Sequence, residues 1–145
     1  RNTMNHKISV DSSIAIKWYF EEDESELEEA QDILTQINNG SFELIVPRII
    51  LLEIINSSKY SKGADKNKCS EVLSLFKILV EKFAELPSVD SIIEKSYSAN
   101  IASYDAAYVA LADKLNIPLF TADYKHHHKS TSKNIIWLKD WNGTL

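Results

Sequence analysis

Apolar residues in this chain fall alternately into short solid blocks and longer stripes of helical period. The block Lys7 to Asp11 reads as a strand, and Ser12-Ser13 then open a helix through Ile14, Ile16, Trp18 and Phe20. A second helix is expected from about Ser25 to Ile37, stopped by Asn38-Asn39-Gly40. Phe42 to Val46 reads as the next strand, with Pro47 setting the entry to a helix through Ile49-Ile50-Leu51-Leu52-Glu53-Ile54-Ile55. The polar stretch Ser57 to Lys68, with Gly63 inside it, predicts a break. Beyond it Val72, Phe76, Leu79 and Phe83 stand at helical spacing, widened by Leu75 and Val80.

A short strand is expected over Phe83 to Leu86, before Pro87, and a helix from about Asp90 to Tyr97. Tyr108, Leu111, Ala112 and Leu115 then share a helix face, with Asn116 as its C-cap. Leu119 to Asp123 and Ile135 to Leu138 read as the last two strands. Strands separated by helices imply right-handed crossovers and a parallel sheet covered on both faces, an α/β architecture.

With 145 residues, the chain is long enough for one well-cored domain and too short for two ordinary ones. The domain is placed at 4–145; Arg1 to Thr3 precede the first methionine, Met4, and are read as an addition or a processing remnant. One cysteine, Cys69, excludes an internal disulfide framework and fits a reducing, cytoplasmic compartment. No apolar run approaches the roughly 18 residues of a membrane span, and no signal peptide is evident.

The net charge of −5 looks unsuited to nucleic acid, but its distribution changes that picture. Eight acids lie between Glu21 and Asp32, leaving 13 acidic against 16 basic residues elsewhere. The block reads as a solvated helix face or as a docking surface for a basic partner. The basic remainder suits a phosphate backbone.

Four acids stand where the pattern changes. Asp11 and Asp123 each close a strand, Glu53 interrupts an apolar helix and Asp105 opens another. Each has an ordinary explanation: a helix N-cap for Asp11, a favourable first-turn charge for Asp105, a turn former for Asp123. Glu53 needs either a solvated stripe or a polar cleft, because its neighbours are Ile and Leu. Ligands in open parallel sheets gather beyond the carboxyl ends of strands, where Asp11 and Asp123 lie. Carboxylates converging there would repel one another without a cation between them. Such hard oxygen donors suit Mg²⁺ or Mn²⁺, and metal-assisted phosphodiester chemistry is the expected use.

Four segments carry a family resemblance: Val10-Asp11-Ser12-Ser13; Pro47 followed by Glu53 and Asn56; Ser103-Tyr104-Asp105-Ala106-Ala107-Tyr108-Val109-Ala110-Leu111-Ala112; and Leu119-Phe120-Thr121-Ala122-Asp123. In order and spacing the chain resembles the PIN-domain nucleases, most nearly the VapC-type toxins of toxin–antitoxin pairs, from His6 to Trp141. The resemblance implies a three-layer α/β/α fold with a central, mostly parallel sheet. It implies Mg²⁺- or Mn²⁺-dependent endoribonuclease activity, leaving a 5′-phosphate and a 3′-hydroxyl. Asp11, Glu53, Asp105 and Asp123 then occupy the metal-binding and catalytic positions. Ser13, Asn56 and Thr121 are either caps or groups that orient the acids. RNA as substrate, a cognate antitoxin and a homodimer follow from the same resemblance.

Two basic features lie outside it. His126-His127-His128, between Lys125 and Lys129, reads as a solvated loop or as a lip contacting RNA phosphates; three adjacent histidines cannot all face one metal. Lys59, Lys62, Lys66 and Lys68 read as a second cluster on a loop, for solvation or for substrate. Trp18, Trp137, Phe20, Phe76, Phe83 and Phe120 are expected in the core. Other readings are an RNA-processing nuclease without an antitoxin and a catalytically silent binding module. A phosphoacceptor receiver lacks support, since no Asp pair follows the first strand. An upstream gene for a small DNA-binding protein would favour the toxin.

Overall fold

A computed structural model describes residues 5–20 and 25–145. Five parallel strands form the sheet: β1 (His6–Val10), β2 (Phe42–Pro47), β3 (Val80–Ala84), β4 (Leu119–Thr121) and β5 (Ile135–Trp137), in the order β3-β2-β1-β4-β5. His6 pairs with Phe42, Ser9 with Leu119 and Thr121 with Trp137, all in parallel register. The helices are α1 (Ser12–Tyr19), α2 (Leu27–Asn38), α3 (Ile49–Tyr60), α4 (Lys66–Leu79), α5 (Val89–Ala99), α6 (Ser103–Leu115) and α7 (Tyr124–His127). The connections β1–β2 and β2–β3 step outward in one direction, and β3–β4 returns across the sheet. Right-handed crossovers therefore cover both faces, producing the three-layer α/β/α fold.

The central strands are buried because both faces are covered: Ile8, Val10, Leu44, Val46, Leu119 and Phe120 are all shielded from solvent. From β1 the chain departs to one side, and from β4 to the other. Their adjacent carboxyl ends thus make the switch point of the sheet, where side chains leave a crevice.

Several boundaries differ from the sequence pattern. The strand expected over Phe83 to Leu86 is β3, but it begins at Val80 and stops at Ala84, since α4 ends at Leu79 and Val80 to Ala84 pair with β2. The helical period ran on through Phe83 by coincidence, and strand pairing satisfied the backbone instead. The expected break at Ser57 to Lys68 shrinks to residues 61–65. Buried Ser58 extends α3, and the Ser61 hydroxyl donates to the Ser57 carbonyl at 2.8 Å. Asp65 caps α4 through the Lys68 N–H at 2.8 Å, so Lys66 and Lys68 stand on a helix and only Lys62 is on the loop. Asn116 is the expected left-handed C-cap of α6. Phe20, Phe76 and Phe120 are buried, whereas Trp18, Trp137 and Phe83 are partly buried. Residues 21–24 of the acidic block lie outside the described residues; Asp32 of that block accepts from Trp141 Nε1 at 2.7 Å.

One polar knot joins the return helices to the far strands. Asp113 of α6 accepts from Lys95 Nζ at 2.6 Å, Ser132 Oγ at 2.6 Å and Asn134 Nδ2 at 2.8 Å. Burial by itself would raise its carboxyl, but these donors and the Lys95 charge together hold it below the usual aspartate value. Asp113→Ala is expected to cost about 1–2 kcal/mol in a denaturant titration, because the knot is partly exposed. A loss too small to resolve would show the knot to be ornamental.

Candidate active site

The switch-point crevice gathers the acids from four elements. Asp11 follows β1 and caps α1, accepting from the Ser13 N–H at 3.0 Å. It is only 4% exposed, and both carboxylate oxygens are engaged. Oδ1 takes the Ser13 hydroxyl as well, and Oδ2 takes Thr121 Oγ1 at 2.5 Å. The Ser13 hydroxyl also accepts from the Ala122 N–H at 2.9 Å, and Thr121 Oγ1 accepts from the Asp123 N–H at 3.0 Å. Two hydroxyls therefore bind the end of β1 to the end of β4. Ser13 and Thr121 serve backbone and carboxylate together, so the choice between cap and orienting group dissolves for both.

Glu53 resides on α3 in contact with α6. Its Oε1 accepts from the Tyr108 hydroxyl at 2.5 Å, and Ser12 lines a groove beside it. Asp105 stands in the first turn of α6, one turn before Tyr108. Asp123 caps α7, accepting from the His126 N–H at 3.2 Å, and its other oxygen is paired with His126 Nδ1. Asn56 is exposed and shares with Glu53 a groove of about 380 Å³ that Ser12, Leu52 and Tyr104 also line.

The histidine run is not a solvated loop. Asp123 nucleates α7 there, and His127 is 0% exposed. Its Nε2 is 3.4 Å from Asp11 Oδ2 and 3.7 Å from Asp105 Oδ1. His126 and His128 point outward, the latter stacked on Tyr124 with ring centroids 5.2 Å apart. Sequence reasoning missed His127, Tyr108 and Ser12 as members of this site. Tyr108 lies three residues after Asp105, a helical spacing that could have suggested it. His127 carried no signal, because only the turn of α7 selects one histidine of three.

The electrostatics record the crowding. Burial raises the Glu53 carboxyl, the Tyr108 hydrogen bond pulls it back, and Asp11 and Asp105 push it up; the net shift is upward. Burial likewise raises Asp105, with His127 and His126 pulling down and Asp11 and Asp123 pushing up. Burial alone would lower His127, but its contact with Asp11 and the charges of Asp105 and Asp123 raise it. The Tyr108 hydroxyl is raised well above its ordinary value, by burial first and then by Glu53.

These shifts carry a sign for stability without metal. With Glu53 and Asp105 raised, the folded state holds more protons than the unfolded one between the ordinary and raised values. Stability therefore falls as pH climbs through that interval. The His127 contribution is complete below the ordinary imidazole value of 6.5 and is lost as pH rises through the raised one. Asp113 acts oppositely, its contribution vanishing in stronger acid. In chelator, the melting temperature is thus expected to rise as pH falls through the raised His127 and carboxyl values toward the ordinary carboxylate range of about 4, and to fall in stronger acid. A profile that is flat or climbs with pH across that range would contradict the coupling.

Hard oxygen donors, mutual repulsion and partial burial match what a divalent cation requires of a site. Among the described residues, no three Asp, Glu, His or Cys side chains already form a ligand set. The fit therefore rests on donor chemistry and convergence. No described helix is long and apolar enough to cross a membrane.

Known proteins share this architecture. PAE2754 from Pyrobaculum aerophilum superimposes with a TM-score of 0.67 at 17% identity, covering 95% of this chain and 93% of its own. VapBC2 from Rickettsia felis, solved bound to a DNA fragment from their promoter, gives 0.68 at 15% identity over 94% and 99%. At such identity the likeness concerns the fold. No curated protein matches the chain. The PIN domain family does match, over residues 8–131, and with four acids at the switch point of its sheet this chain belongs to that family of nucleases.

Proposed function

We propose that the protein is a metal-dependent endoribonuclease and the toxin of a VapBC-type pair. The observation that carries this reading is the meeting of Asp11, Glu53, Asp105 and Asp123: the charges of Asp11 and Asp105 push Glu53 up, and those of Asp11 and Asp123 push Asp105 up. Asp11, Glu53, Asp105 and Asp123 would hold Mg²⁺ or Mn²⁺. When bound, that ion lowers the pKa of a bound water and offsets charge on the phosphoryl oxygens. Ser13 and Thr121 fix the direction of both Asp11 oxygens before any ligand arrives, so little reorganisation is needed. Tyr108 keeps a Glu53 oxygen oriented from the α6 side. A carboxylate left outside the ligand set can take the proton of the attacking water, a role suited to the raised Glu53 or Asp105.

The groove beside Glu53 leads from the acids across Leu52, which is 66% exposed, and Tyr104, which is 58% exposed. An RNA strand or an antitoxin tail would lie there, with Tyr104 offering a face for either. The VapBC2 likeness favours an antitoxin partner, and a homodimer is part of the same reading. The test is cleavage of a mixed RNA pool by purified protein with Mg²⁺ or Mn²⁺, against a chelator control. Cleavage abolished by chelator is the expected result. A folded protein inert with either metal would favour the silent binding module.

A further inference from the structure

We propose that His127 supplies an imidazole nitrogen to the cation site, biasing it toward first-row transition ions over Mg²⁺. The inference rests on reading the acids as a cation site, and goes beyond it in assigning a nitrogen ligand. His127 is fully buried, and neither ring nitrogen has a hydrogen-bond partner. A buried polar atom without a partner is unfavourable and rare, so its placement calls for a reason. Nε2 is aimed at the acids, 3.4 Å from Asp11 Oδ2 and 3.7 Å from Asp105 Oδ1, outside hydrogen-bond geometry with either.

Donors that share one ion at about 2.1 Å stand roughly 3.0–3.4 Å apart, for octahedral or tetrahedral angles. The nitrogen is thus at or just beyond ligand spacing from two acids that repel each other without an ion. An entering cation has only to draw them the remaining distance. The placement comes from α7: Asp123 caps it, the His127 N–H donates to the Asp123 carbonyl at 3.2 Å, and the fourth residue of the turn faces inward. Imidazole adds little for Mg²⁺, which prefers oxygen and water, but strengthens binding of transition ions along the usual order.

The test uses the full chain freed of metal and loaded with Mn²⁺ alone. Pulsed electron paramagnetic resonance should show a directly bound nitrogen, and ¹⁵N-histidine labelling should alter that coupling. The nitrogen signal should persist in the double variant His126→Asn, His128→Asn and vanish in His127→Gln. In competition, His127→Gln should lose at least about tenfold of the preference for Mn²⁺ over Mg²⁺. Bound Mn²⁺ with no histidine nitrogen in the wild type would overturn the proposal while leaving the carboxylate site standing. Failure to bind Mn²⁺ at all would overturn both. Where His127→Gln does not fold, the ¹⁵N-labelled double variant decides instead: a histidine coupling that persists there belongs to His127, because His6 opens β1 at the opposite end of the strand from Asp11, and a coupling that disappears overturns the proposal.

Discussion

Asp11→Asn is expected to reduce RNA cleavage by at least about a hundredfold while leaving the fold intact. The substitution keeps the shape. Its amide oxygen can still accept from the Ser13 N–H, and its amide N–H can donate to the Thr121 hydroxyl, which is able to accept. What disappears is one negative charge from the most buried of the four acids. Without metal, stability should stay within about 1 kcal/mol of wild type, since lost charge-assisted bonds are offset by relief of repulsion. The same relief should move Glu53 and Asp105 back toward ordinary carboxylate values, because Asp11 helps to raise both. Steady-state cleavage, melting in chelator and carboxyl titration by NMR check the three parts. A folded variant that keeps a tenth of the activity would show that the Asp11 charge is dispensable for the chemistry.

Trp141→Ala should be the most damaging change remote from the acids, at about 3–5 kcal/mol. The indole packs edge-on against Phe120 with centroids 4.9 Å apart and lies 6.1 Å from Phe42, joining β4 and β2 from the chain's end. Its Nε1 donates to Asp32 Oδ2, an oxygen that Gln36 also shares at 3.0 Å. Truncation opens a cavity beneath the sheet and removes a donor from a carboxylate. Trp141→Phe retains the ring and should cost roughly half as much, the remainder being the Asp32 bond and lost area. Equilibrium unfolding of both variants measures the difference. Were Trp141→Ala to cost under about 1 kcal/mol, the C-terminal segment would not be part of the cooperative core.

Much of the frame could be read from local pattern. The strand blocks at Ile8 and Leu44 match the observed β1 and β2 closely, since parallel strands buried on both faces need unbroken apolar runs. Asp11, Glu53, Asp105 and Asp123 stood out because each interrupts such a run or ends an element. The weaker expectations fell where two elements meet. Val80 belonged to a helical stripe in sequence, and only pairing with β2 made it the first residue of a strand. Ser57 to Lys68 looked like a loop because it is polar, but a buried Ser58 and the Asp65 cap turned most of it into helix.

By itself, the sequence determined the α/β alternation, the positions of the four acids and the hydroxyls near them. These follow from side-chain period and from charges that an apolar run cannot hide. Tertiary structure alone decided which groups touch the acids. Tyr108 and Glu53 are 55 residues apart and meet because α3 and α6 converge at the sheet's end. His127 faces inward while its two neighbours face solvent, because one short turn of helix orients three adjacent identical residues differently. Contacts between distant segments depend on packing and crossover direction, which leave no trace in local composition.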